Sequence, residues 1–144
     1  FEKLEAALGG NIRGTHIAVW GLAFKANTDD MREAPSISLI EALLAAGATV
    51  AAHDPAAMHE GKRRLGDAIH YANSNYDALE GADALVIVTD WNEYRHPDFS
   101  RIKSTLRQPI VIDGRNLYSA ERMRSLGFMY DSIGRVPTLE TIRA

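Results

Sequence analysis

The chain has 144 residues, 46% of them hydrophobic and 24% charged, and 16 basic against 19 acidic side chains give it a formal net charge of −3. At this length one compact domain buries roughly 70% of the surface that the unfolded chain exposes, so a core needs neither a disulfide nor a metal to hold it. Cysteine is absent, which excludes thiolate metal sites and cysteine nucleophiles within the chain; the acidic balance argues against nucleic-acid partners, and no apolar run approaches the roughly 20 residues of a membrane span.

In chain order, Phe1 to Leu8 reads as a helix end, closed by Gly9-Gly10-Asn11. With no methionine at the start and a helix end at Phe1 to Leu8, the chain reads as a piece of a longer polypeptide, and only residues 1–10 look detachable from a domain over residues 11–144. A strand is expected over His16 to Phe24, followed by a long loop that reaches Ala34. Pro35 to Ala46 is the clearest helix: proline stands at its first turn, glycine follows its end, and Ile37, Ile40 and Leu44 share one face. A strand over Thr49 to His53, a helix over Pro55 to Leu65, a weak strand over Ala68 to Tyr71 and a short helix over Tyr76 to Leu79 come next. The chain ends in a strand over Ala84 to Thr89, a helix over Asp98 to Leu106, a strand over Pro109 to Asp113, a helix over Ser119 to Ser125 and a last strand near Phe128 to Tyr130.

Strands alternating with helices predict an α/β fold: a doubly wound, mostly parallel, Rossmann-like sheet with helices on both faces. Ligands of such sheets bind outside the carboxyl ends of the strands. The loop from Gly21 to Ala34 is longer than the usual 2–6 residues or so of a βα connection, and it carries Phe24, Lys25 and Arg32. With strand order 3-2-1-4-5, the loops after strands one, four and five share one edge, and Lys25, Arg32 and Arg115 form a candidate cradle for a diphosphate. Plainer readings stand beside it: a solvated loop, Arg115 paired with Asp113 or Asp90, Asp29-Asp30 paired with Arg32, and Trp91 plugging a loop.

A dinucleotide fingerprint requires glycine at three positions of the first turn, where this chain has Gly21, Ala23 and Ala26. Dinucleotide binding across that turn is therefore disfavoured. Asp54 ends the second strand, where a ribose-binding acid would lie, but helix capping is the better reading of an aspartate followed by Pro55. The histidines at 16, 53, 59, 70 and 96 lack metal-ligand spacing, and Lys62-Arg63-Arg64 reads as a solvated helix end.

Four stretches carry a resemblance. They are Gly21-Leu-Ala-Phe-Lys-Ala-Asn-Thr-Asp-Asp-Met-Arg-Glu-Ala-Pro-Ser36, Ala52-His-Asp-Pro55, Ala82 to Tyr94 with its Thr89-Asp90-Trp91, and Val111-Ile-Asp-Gly-Arg-Asn-Leu-Tyr118. Together they resemble the C-terminal, UDP-binding domain of the UDP-glucose/GDP-mannose dehydrogenase family. The Thr89-Asp90-Trp91 stretch is similar to the UDP-glucose branch, with aspartate where glutamate is commoner. The resemblance implies a cytoplasmic, homo-oligomeric enzyme that oxidises UDP-glucose to UDP-glucuronate and reduces two NAD per sugar. It implies that an N-terminal domain of the same polypeptide binds NAD, that Phe24, Lys25 and Arg115 contact the UDP-sugar, and that Arg32 reaches towards NAD. The family's nucleophilic cysteine has no counterpart here, so this chain alone is expected to be inert. The competing expectation is an assembly module that binds no small molecule, and a third, disfavoured by the two alanines, is a free-standing NAD or flavin binder.

Overall fold

The structure is a computed structural model that describes residues 1–32 and 34–132. Among the described residues eleven α-helices and strands follow one another as α1 Glu2–Ala7, β1 His16–Trp20, α2 Pro35–Ala45, β2 Thr49–His53, α3 Met58–Leu65, β3 His70–Tyr71, β4 Ala84–Ile87, α4 Phe99–Thr105, β5 Ile110–Asp113, α5 Ala120–Ser125 and β6 Met129–Ser132. The strands form one sheet in the order β3-β2-β1-β4-β5-β6, and every pair is parallel. The doubly wound α/β expectation holds, with β6 added at the far edge.

Alternation along each strand divides the apolar residues between the two faces. Ile17, Val19, Val50, Ala52, Val86 and Ile112 face a core shared with Leu4 of α1, Ile40 and Leu43 of α2, and Met58 of α3. Ala18, Trp20, Leu85, Ile87 and Val111 face the other core, where Ile102 of α4, Met123 of α5 and the turn Asp77–Leu79 pack. Burying both faces leaves the sheet's carboxyl edge as the place where side chains are free to vary. The glycine pair after α1 suggested a detachable end, yet Leu4 is buried in the first core and Lys3 pairs with Asp131 at 3.2 Å.

The differences from the expected boundaries have local causes. β1 stops at Trp20 rather than Phe24 because Gly21 turns the chain at φ 104°. A Cβ at Gly21 would overlap the backbone and side chain of Thr89, so the close approach of β4's exit excludes every other residue there. α3 begins at Met58 rather than Pro55, because the amides of Ala56 and Ala57 turn back onto Asp54.

Candidate functional site

The exits of β1, β4 and β5 lie side by side, since Trp20 pairs with Ile87 and Ile87 with Asp113. Two buried carboxylates organise this edge. Asp54, just beyond β2, accepts five hydrogen bonds: Leu22 N–H at 2.8 Å, Ala23 N–H at 2.9 Å and the Trp91 indole N–H at 3.1 Å on Oδ2, and Ala56 and Ala57 N–H, both at 2.8 Å, on Oδ1. It caps the entry to α3, as expected, and also ties together the loops after β1, β2 and β4. The amides of the first turn, which in a dinucleotide fingerprint face the pyrophosphate, are occupied by this side chain. Thr89 Oγ donates to the Ala23 carbonyl at 2.6 Å and Ser36 Oγ to that of Leu22 at 2.6 Å, so the carbonyls of this turn are engaged as well.

Asp113, at the end of β5, plays the matching part. Its Oδ1 accepts from Arg115 N–H at 3.0 Å, and its Oδ2 from Leu117 N–H at 2.7 Å, Tyr118 N–H at 3.1 Å and Tyr130 Oη at 2.6 Å. The turn that carries Arg115 is thus built on a carboxylate with no exposed surface. The Arg115 side chain is 32% exposed, and its guanidinium lies 3.3 Å from Asp90, which also receives Arg95 at 3.6 Å. One of the plainer readings, the pair with Asp90, is therefore present. Arg115 borders a recess of about 480 Å³ between α2 and the exits of β4 and β5, which Pro35, Leu39, Val88 and Phe1 also line.

Lys25 and Phe24 project from the loop after β1. Phe24 is 40% exposed, and the Lys25 ammonium lies 5.5 Å from the centre of its ring. An exposed ring with a cation beside it can stack on a flat base while the charge meets a phosphate. Arg32, with its side chain 80% exposed, pairs with Asp30 at 3.0 Å, as the plainer reading of the Asp29-Asp30 pair anticipated. The guanidinium holds the Asp30 carboxyl down at about 2. Arg32 lines a different, shallower recess with Asp29, Glu60 and Arg64. The four residues singled out for a site thus share one edge, but Arg115 and Arg32 border separate recesses.

Sequence reasoning missed the extent of the two aspartate hubs. The signal was present in each case as an aspartate ending a parallel strand before a turn residue, Asp54-Pro55 and Asp113-Gly114. Among the described residues no group of three or more histidine, aspartate or glutamate side chains stands ready to hold a metal, and no helix is long and apolar enough to cross a membrane.

Residues 18–120 match the UDP-glucose/GDP-mannose dehydrogenase family, UDP binding domain. The chain is 50% identical over 140 residues to a UDP-glucose 6-dehydrogenase of Pseudomonas aeruginosa, covering 94% of this chain and 31% of that protein. It is 50% identical over 134 residues to that of Rhizobium meliloti, covering 93% of this chain and 30% of that one. Among solved structures, a UDP-glucose dehydrogenase from Pyrobaculum islandicum superposes with a TM-score of 0.74 at 36% identity, over 90% of this chain and 27% of that chain. An NDP-N-acetyl-D-galactosaminuronic acid dehydrogenase from Methanosarcina mazei gives a TM-score of 0.78 at 28% identity, over 91% and 27%. The chain therefore spans less than a third of the length of each of these relatives.

Proposed function

The chain belongs to the UDP-glucose/GDP-mannose dehydrogenase family as its UDP-binding domain, and from that premise we propose that it grips the nucleotide of UDP-glucose within a longer, NAD-dependent, cytoplasmic and homo-oligomeric dehydrogenase. In that enzyme UDP-glucose is oxidised to UDP-glucuronate while two NAD are reduced. Residues 1–10 then end a connecting helix, and residues 11–144 form the domain that closes over the sugar nucleotide. Phe24 offers a face to the uracil, Lys25 a point charge to the diphosphate, and Arg115 a two-pronged donor to the same group. Arg32, with its side chain 80% exposed, faces the cofactor.

The observation that carries this reading is the placement of Arg115, held by the Asp113 hub at the mouth of a recess on the sheet's carboxyl edge. NAD does not fit the first turn of this chain: two of the fingerprint's glycines are alanines, and Asp54 already takes the amides that would hold a pyrophosphate. NAD is accordingly assigned to the N-terminal part of the polypeptide, with the nucleophilic cysteine, and this chain by itself is inert. Its contribution is positional: anchoring the nucleotide, which does not react, orients the hexose that does.

In the longer polypeptide, Lys25→Ala and Arg115→Ala each weaken UDP-glucose by tenfold or more, on the basis of about 1.5–3 kcal/mol per charge-assisted contact. Steady-state kinetics check this, and unchanged KM and kcat in both variants would refute the nucleotide grip. The pairs Arg115–Asp90 and Arg32–Asp30 favour a second reading, in which these cations serve assembly alone. A calorimetric titration of the longer polypeptide with UDP that gave no binding would favour that alternative.

A further inference from the structure

A third recess, of about 480 Å³, opens beyond β2 and β3 between His53, His59, Lys62, Tyr71 and Asn73. It includes none of Phe24, Lys25, Arg32 or Arg115. The ring of His53, a residue only 8% exposed, has its tautomer set by its neighbours. Tyr94 Oη lies 3.0 Å from the His53 carbonyl oxygen and 3.0 Å from His53 Nδ1. A carbonyl only accepts, so the single hydroxyl proton goes to it and Nδ1 donates its own hydrogen to Oη. His53 Nε2 is then a bare lone pair. Burial pushes the ring's pKa below the ordinary histidine value and keeps it neutral, although Glu93, Asp54 and Asp77 pull the other way.

Among the described residues no polar side-chain atom is both buried and without a partner, and none of them donates to Nε2, so Nε2 is accessible to solvent on a residue that lines the recess. Lys62 lines the same recess, its ammonium 5.5 Å from the centre of the Tyr71 ring. The adjoining Arg63 and Arg64 are both taken by Glu60, whereas Lys62 forms no ion pair with any described residue. Asp54 also borders the recess, but both of its oxygens are engaged by the five donors described above. The wall therefore offers one uncommitted cation, a second imidazole on His59, an amide on Asn73 and one hydrogen-bond acceptor that lacks a donor.

We propose that this recess is a second binding site, for a small phosphate monoester that bears a hydroxyl group. Its phosphate meets Lys62 and His59, and its hydroxyl donates to His53 Nε2. The site is independent of the nucleotide grip, with which it shares none of the four residues.

NMR titration of the isotopically labelled chain with ribose 5-phosphate tests the assignment. The expected result is a shift of the His53 ring and of the Lys62 and Asn73 amides that persists in saturating UDP. Lys62→Ala, an exposed substitution that leaves the core untouched, weakens the probe about tenfold, the worth of one charge-assisted phosphate contact. Inorganic phosphate, which supplies no sugar hydroxyl for Nε2, binds more weakly than the probe. The proposal is overturned if His53 and Lys62 stay silent at millimolar probe, if UDP displaces the probe, if Lys62→Ala leaves affinity unchanged, or if inorganic phosphate binds as well.

Discussion

The turn after β5 and the loop after β1 each present a cation at the same sheet edge, and they are built in opposite ways. The first is short and sits on Asp113, whose carboxylate takes three backbone amides and a tyrosine hydroxyl. The second is anchored by Asp54 only at its root, at Leu22 and Ala23. Beyond that root, Phe24 N–H donates to the Asp30 carbonyl at 2.9 Å and Asn27 adopts φ 65°; Met31 is buried in the first core, while the side chains of Phe24, Lys25 and Arg32 are exposed. On the proposed nucleotide grip, a guanidinium on a fixed turn and an exposed ring with its ammonium would let one anchor set position and the other adapt to the guest.

The largest test of that contrast is thermodynamic. Asp113→Ala strips the β5 turn of four acceptor contacts and destabilises the chain by about 3–5 kcal/mol, because buried donors lose partners; Lys25→Ala at the exposed tip leaves stability unchanged. Denaturant unfolding of both variants checks the pair, and equal stabilities would dissolve the distinction between fixed and adaptable anchors.

Affinity offers the next test. Asp90 pairs with Arg115, so on the proposed nucleotide grip it competes with the diphosphate for that guanidinium and adds a negative charge beside it. Asp90→Asn is therefore expected to tighten UDP by two- to tenfold or so, the scale of a partly exposed charge interaction. Calorimetry reads it; weaker binding would mean that Asp90 orients Arg115 rather than occupying it.

A smaller effect follows pH. Burial holds His53 and His16 below their ordinary values, so each ring takes up a proton more readily once the chain unfolds. Stability from these groups is then present above the unfolded value of about 6.5 and is lost as pH falls through it. Unfolding curves at neutral pH and below pH 6 should show the decline, and His53→Gln should make it shallower.

The smallest effect belongs to the tip of the β1 loop. In Arg32→Ala the Asp30 carboxyl rises from about 2 towards the ordinary carboxylate range, while the unfolding midpoint at neutral pH stays where it was, because an exposed pair contributes little. Carboxyl-resolved NMR and thermal melts together decide it.

The parts of the molecule legible in the sequence are those governed by period and punctuation. β2 was expected over Thr49 to His53 and lies there, and α2 was expected over Pro35 to Ala46 and ends one residue earlier, since alternation, an N-terminal proline and a following glycine are local signals. Phe24, Lys25 and Arg115 were identifiable as residues of the carboxyl edge because parallel topology alone puts strand exits there. Partner choice was not legible. Whether Arg115 met Asp90, 25 positions away, or Asp113, and whether Asp54 capped one helix or joined loops 31 to 37 positions away, depends on distances between separate segments, which no local pattern encodes. The tautomer of His53 was hidden for the same reason, since Tyr94 approaches it from 41 positions along the chain.

The carboxylate of Asp54 has one further consequence. By filling from within the position that a pyrophosphate takes in related folds, the chain acts as its own anion and completes its scaffold before any guest arrives. Little is then left to crystallise on docking, and the heat-capacity change on UDP binding should match the area of contact alone, without the larger signature of a segment that folds around its ligand.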